Sequence, residues 1–191
     1  MGSKIALLAL GLLVVAGLVM VSCTAPHARR LRRFEAALEA QDSATAALRQ
    51  WCAAEHIADP SRIIATPVRD GARAEPAGLR TALGVGPDEP LGYRHVRLAC
   101  GTMVLSEAHN WYVPARLTPA MNQTLAASDT PFGAVAAPLG FRRERLATIR
   151  GSSPDCPPGT VLSHHALLRL PDGAALAFLV ECYTRATLGS P

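Results

Sequence analysis

Along the chain the apolar positions change period several times, and the changes mark the elements. Leu31, Phe34 and Leu38 make one stripe at helical spacing. Asp42 and Ser43 interrupt it, and their short oxygens suit a break and a fresh N-cap. A second helix then carries Ala47, Leu48, Trp51 and Cys52. Residues 27 to 56 therefore predict a helical pair. Ile63 to Val68 reads as a first strand, and Asp70-Gly71 opens a Gly-, Pro- and Ala-containing loop that lasts to residue 90. Residues 92 to 100 alternate, with Tyr93, His95, Arg97 and Ala99 on one side and Arg94, Val96, Leu98 and Cys100 on the other. Val104 to Val113 completes a hairpin. Thr118-Pro119 predicts a capped helix through Met121 and Leu125. Asp129 to Gly133 is a turn around Pro131, and Arg142 to Ile149 a further strand. Pro154 to Gly159 is a loop. Val161 to Leu170, Pro171-Asp172-Gly173 and Ala174 to Thr184 form a last strand-turn-strand pair. Helices first, then antiparallel strands with one inserted helix, is an α+β pattern.

One run has no period at all. Ile5 to Val21 is apolar without a charge, just long enough to cross most of a bilayer. Residues 1–26 are thus expected to be a signal or membrane anchor, and 27–191 a folded domain of ordinary size. Met20-Val21-Ser22-Cys23 after Lys4 fits lipoprotein processing, with Cys23 as the lipidated residue. An uncleaved anchor is the alternative; Arg29, Arg30, Arg32 and Arg33 would hold the domain on the cytoplasmic side. A cleaved signal peptide is a third reading, opposed by the same arginines. The favoured expectation is a membrane-anchored envelope lipoprotein.

The formal charge is +4, and the four clustered arginines account for much of the excess. The remainder is close to neutral, so no nucleic-acid partner is expected. Aromatics are 5% of the chain, which leaves the core to Leu, Val, Ile and Ala. Cys52, Cys100, Cys156 and Cys182 allow three pairings into two disulfides, or four buried thiols. No CxxC occurs, no Cys/His spacing suggests zinc, and His164 and His165 would face opposite ways on a strand. No metal site is expected. A phosphate-cradling glycine loop, a GxSxG elbow and an HExxH helix are all missing from the sequence.

Two charges interrupt apolar strands. Arg94 lies on the Val96/Leu98 side, and Glu181 sits within Leu176-Ala-Phe-Leu-Val-Glu-Cys-Tyr. Facing the core, each needs a partner. A ligand carboxylate would satisfy Arg94 in a bidentate pair, and Glu181 could accept a hydroxyl or handle a proton. Both could instead face solvent or pair with each other. Arg69, beside the Asp70-Gly71 turn, reads as a surface residue.

The order of these features resembles bacterial chorismate pyruvate-lyase over about residues 34 to 188. The points of likeness are Gln41-Asp42-Ser43-Ala44-Thr45, Tyr93-Arg94-His95-Val96-Arg97-Leu98, Val113-Pro114 with Leu117, Thr130-Pro131-Phe132-Gly133, and Val180-Glu181. Their order and approximate spacing carry the resemblance. It implies an antiparallel sheet with helical flaps over an enclosed site, and cofactor-free elimination of pyruvate from chorismate to give 4-hydroxybenzoate. Arg94 and Glu181 would be the catalytic pair. Arg94, Ala44, Thr45, Phe132 and Glu181 would bind substrate, a small aromatic carboxylate, in a monomer. The same fold serves as a ligand-sensing module in GntR-family regulators. The sequence departs from the enzyme at Ala44, where the family has Met, and at Phe132, where it has Leu. Ser163-His164-His165 replaces a basic segment, and the N-terminal apolar run is added. A non-catalytic lipoprotein of this fold, binding a small aromatic acid or a protein, is the alternative expectation.

Overall fold

The computed structural model describes residues 26–69 and 73–189. Among them, six strands form one antiparallel sheet in the order β1-β2-β3-β6-β5-β4. The strands are β1 Ile63–Pro67, β2 Gly92–Cys100, β3 Met103–Tyr112, β4 Arg142–Arg150, β5 Thr160–Arg169 and β6 Ala175–Thr184. The helices are α1 Pro26–Glu39, α2 Ala44–Ala54, α3 Leu79–Leu83, α4 Pro119–Ala127 and α5 Phe132–Ala136. The α+β architecture expected from the sequence is present, with the helical pair first and α4 inserted between β3 and β4.

The local rules account for most element boundaries. Ser43 caps α2 by accepting from the Ala46 amide at 3.3 Å, and Thr118 caps α4 by accepting from Met121 at 3.2 Å. Pro119 occupies the first turn of α4, where its missing N–H costs nothing. Asp172 accepts from Ala174 at 2.9 Å within the β5–β6 turn, and Gly173 takes φ +88°, a conformation that favours glycine.

Two segments differ from expectation. The loop to residue 90 contains α3, a single turn between Gly78 and Gly84, both left-handed. Five residues are too short to show a helical stripe, and glycines at both ends read as loop. The turn around Pro131 continues into α5, because Pro131 is extended and passes directly into the first helical residue.

The sheet is covered on both sides, so β6 is buried from Ala175 to Tyr183. On one face α1 and α2 lay Phe34, Leu38, Leu48 and Trp51 against Val96, Leu98, Ala108 and Tyr183. Phe34 meets Trp51 and Tyr183 edge-on, each at 5.1 Å between centroids. Farther along that face, Leu125 of α4 and Phe132 and Val135 of α5 pack on Leu168, Ala177 and Leu179. The opposite face is covered by Leu79 and Leu83 of α3 over Trp111, Phe178 and Val180. Among the described residues the cysteines make two disulfides. Cys52–Cys100 ties α2 to β2 with Cα atoms 6.2 Å apart, and Cys156–Cys182 ties the β4–β5 loop to β6 at 5.6 Å.

The expectation of a membrane-anchored protein is corrected. Among the described residues no helix is long and apolar enough to cross a membrane. The run Ile5–Val21 and the lipidation candidate Cys23, on which the expectation rested, lie outside the described residues.

Candidate functional site

The site is built on β2, β3 and β6. Arg94 on β2 stands opposite Asn110 on β3, and Asn110 stands opposite Leu179 on β6. Glu181 is two residues beyond Leu179, so it points to the same face as Arg94. Two strand spacings and two residues of rise place their Cα atoms about 12 Å apart. Both side chains are buried: Arg94 is 9% exposed and Glu181 4%.

Their surroundings differ. Arg94 donates from Nη1 to the Thr130 carbonyl at 3.2 Å, while its Nη2 is buried and has no partner among the described residues. Burial pulls the guanidinium below its ordinary pKa, against the opposing influence of the Tyr112 phenol. Glu181 is fully engaged. Arg143, from the edge strand β4, donates to both of its carboxylate oxygens, at 3.0 Å from Nη1 and also from Nη2. The Tyr183 hydroxyl donates to Oε2 at 2.9 Å. Burial alone would raise the Glu181 pKa, but Arg143 overrides it and holds the carboxyl below its ordinary value. Burial likewise disfavours the Arg143 charge, and Glu181 more than restores it. His164 lies directly across from Glu181 on β5, 2% exposed, with Nδ1 unpartnered among the described residues. Desolvation lowers its pKa to about 4.

A small pocket of about 30 Å³, room for roughly one water, sits over this floor. Asn110, Arg143 and Glu181 line it from the sheet, and Ala44, Thr45 and Phe132 from above. Outside lies a groove of about 580 Å³ whose walls include Ser43, Thr45, Arg49, Arg62, Thr130 and Gly133. Ser43, Thr45 and Gly133 border both spaces. A Cβ at Gly133 would lie 2.6 Å from Ser43 Oγ, so the close approach of α5 to α2 requires glycine there. Arg94 touches the outer groove's wall through Thr130.

The structure thus brings Ala44, Thr45, Phe132 and Glu181 to one pocket and places Arg94 on the same face. Arg94 and Glu181 neither face solvent nor pair with each other. Arg69 is exposed, as expected. His164 is buried at the floor, whereas His165 points the other way, its Nε2 3.4 Å from Asp155. Sequence reasoning missed Arg143, Tyr183 and Asn110. Arg143 falls in Arg142-Arg143-Glu144-Arg145, a run that resembles a solvated edge; only the alternation along β4 hints that one arginine turns inward.

No protein-family sequence profile matches the chain. Among solved structures it resembles PhnF from Mycobacterium smegmatis, with a TM-score of 0.55 and 14% identity over 77% of this chain and 65% of that one. The effector domain of PhnF gives 0.52 and 15%, covering 75% of this chain and 89% of the other. The ligand-binding domain of a putative GntR-family transcriptional regulator from Bordetella bronchiseptica gives 0.48 and 16%, over 65% and 83%. At these identities the likeness shows the fold alone: the α+β arrangement on a six-stranded antiparallel sheet is one that the PhnF effector domain resembles. At the level of sequence, the chain is 41% identical over 180 residues to "Uncharacterized protein y4mC" of Sinorhizobium fredii, covering 84% of this chain and 76% of that protein. With that identity across most of both chains, the protein belongs to the y4mC family.

Proposed function

We propose that the domain binds a small carboxylate, held by Arg94 beneath α2 and α5. The observation that carries this reading is the buried, unpartnered Nη2 of Arg94. A buried guanidinium with an idle donor is satisfied by a ligand oxygen, and a carboxylate matches its fork. The fold, shared with regulator ligand-binding domains, is compatible with a sensing role. The closed pocket means that α5 or the Ser43–Thr45 turn must shift to admit a ring.

Elimination of pyruvate from chorismate is the second reading, favoured by Arg94 and Glu181 sharing one covered face. Against it, both Glu181 oxygens are occupied, and Arg143 holds the group as a carboxylate. A proton donor at neutral pH needs the opposite shift. Binding is therefore the stronger reading.

The test is calorimetry on the full chain with benzoate, 4-hydroxybenzoate and chorismate, alongside an assay for released pyruvate. Binding that weakens about tenfold or more in Arg94→Gln, without pyruvate, is the expected result, given the worth of a hydrogen bond to a charged group. Pyruvate release lost in both Arg94→Gln and Glu181→Gln would move the enzyme ahead. No binding of any of the three compounds by folded protein would overturn both readings.

A further inference from the structure

The sheet face opposite Arg94 carries a second cluster that the carboxylate-binding proposal does not use. His95 of β2 lies directly across from His109 of β3, their rings stacked with centroids 4.1 Å apart. Glu107, two residues before His109, reaches His95 Nε2 with Oε1 at 2.9 Å. One ligand-type atom from each of the three lies within 4.8 Å of the others. We propose that His95, Glu107 and His109 form a binding site for a divalent transition-metal ion of the zinc class.

The donor set suits such an ion. Two imidazole nitrogens and one carboxylate oxygen are borderline ligands, a combination that holds zinc with one position left for water. Ligand atoms around tetrahedral zinc lie about 3.4 Å apart, given bonds near 2.1 Å. To bind, the three groups would rotate from their present spacing to that value, with the His95–Glu107 contact giving way to the ion. The ion would replace the proton shared by His95 and Glu107.

The surroundings resemble those of a ligand set. The Tyr93 hydroxyl lies 2.9 Å from His109 Nδ1 and fixes that ring, as outer contacts orient metal-binding imidazoles. Arg97 donates from Nε to Glu107 Oε2 at 2.9 Å, so Oε1, which now meets His95, is the oxygen that would turn to the ion. The Arg97 side chain is 53% exposed, so solvent screens its charge and it can swing away. His95 and His109 are buried, yet Glu107 also lines a surface groove of about 300 Å³ with Arg97 and Pro157–Thr160. That groove supplies a path for the ion and its water. A bound ion would cross-link β2 to β3.

The experiment takes the full chain, stripped with chelator and dialysed, and titrates it with zinc chloride and, separately, with cobalt chloride as a coloured substitute. The expected result is one ion per chain, visible d–d bands from cobalt bound to nitrogen and oxygen, and a raised melting temperature in zinc. Glu107→Gln, close in shape to the parent, should weaken binding by more than the about ten- to hundredfold that loss of an outer contact costs, and His95→Gln should abolish the bands. His27→Gln, exposed on α1, should leave them unchanged. Circular dichroism establishes that each variant is folded. Absence of cobalt bands in the parent protein overturns the proposal, even if the variants fail to fold. So does binding that survives in both folded Glu107→Gln and folded His95→Gln.

Discussion

Arg143, on the sheet's edge strand, reaches across β5 to form a two-pronged ion pair with Glu181 on β6, and both residues are sealed from solvent. Two opposite charges so buried gain little over an apolar pair, but losing one partner strands the other. Arg143→Ala should therefore cost about 3–5 kcal/mol. Combining it with Glu181→Leu should recover a large part of that loss. Urea denaturation of the two single variants and the double variant measures the coupling.

Acid should destabilise the protein in a window set by His164. Its folded pKa of about 4 lies below the ordinary 6.5, because burial disfavours the imidazolium. The unfolded chain therefore binds this proton more readily. The contribution is fully present above about pH 6.5 and is lost as pH falls to about 4, at roughly 1 kcal/mol per pH unit. Glu181, also depressed in the fold, adds a loss in the same direction at lower pH, below its ordinary value. Denaturation between pH 7 and 5 should show the slope, and His164→Phe should flatten it.

The two disulfides close chain segments of 48 and 26 residues. On loop-closure entropy they contribute about 4 and 3.5 kcal/mol respectively. Thiol labelling of Cys52, Cys100, Cys156 and Cys182 should occur only after reduction. Cys52→Ala/Cys100→Ala should lower the urea midpoint more than Cys156→Ala/Cys182→Ala.

Gly133→Ala should separate α5 from α2, since the new methyl would meet Ser43 Oγ at 2.6 Å and Thr45 Oγ1 at 3.1 Å. Overpacking of this kind costs about 1–3 kcal/mol. Thermal denaturation checks the loss. On the carboxylate-binding reading, the same variant should speed ligand entry, which stopped-flow mixing with 4-hydroxybenzoate would register.

Much of the frame was legible because its signals are local. Ser43 and Thr118 announce their helices, Pro171-Asp172-Gly173 its hairpin, and the alternation over 92–100 puts Arg94 on the Val96/Leu98 side, though not whether that side is covered. The partners were not legible, because they are set by cross-strand register. Arg143 and Glu181 are 38 residues apart in sequence. His95 meets His109 only because the hairpin pairs them, and neither lies at a spacing that a metal motif would display. The short helices α3 and α5 were hidden by the glycines and proline that bound them.

The Cys52–Cys100 bridge joins the helix that roofs the pocket to the strand that carries Arg94. The bridge restrains roof against floor on that side, whereas neither disulfide among the described residues ties α5 to the sheet. On the carboxylate-binding reading, a guest would then pass through a door hinged on one side only, and its residence time would follow α5, with Thr130 and Pro131, rather than α2.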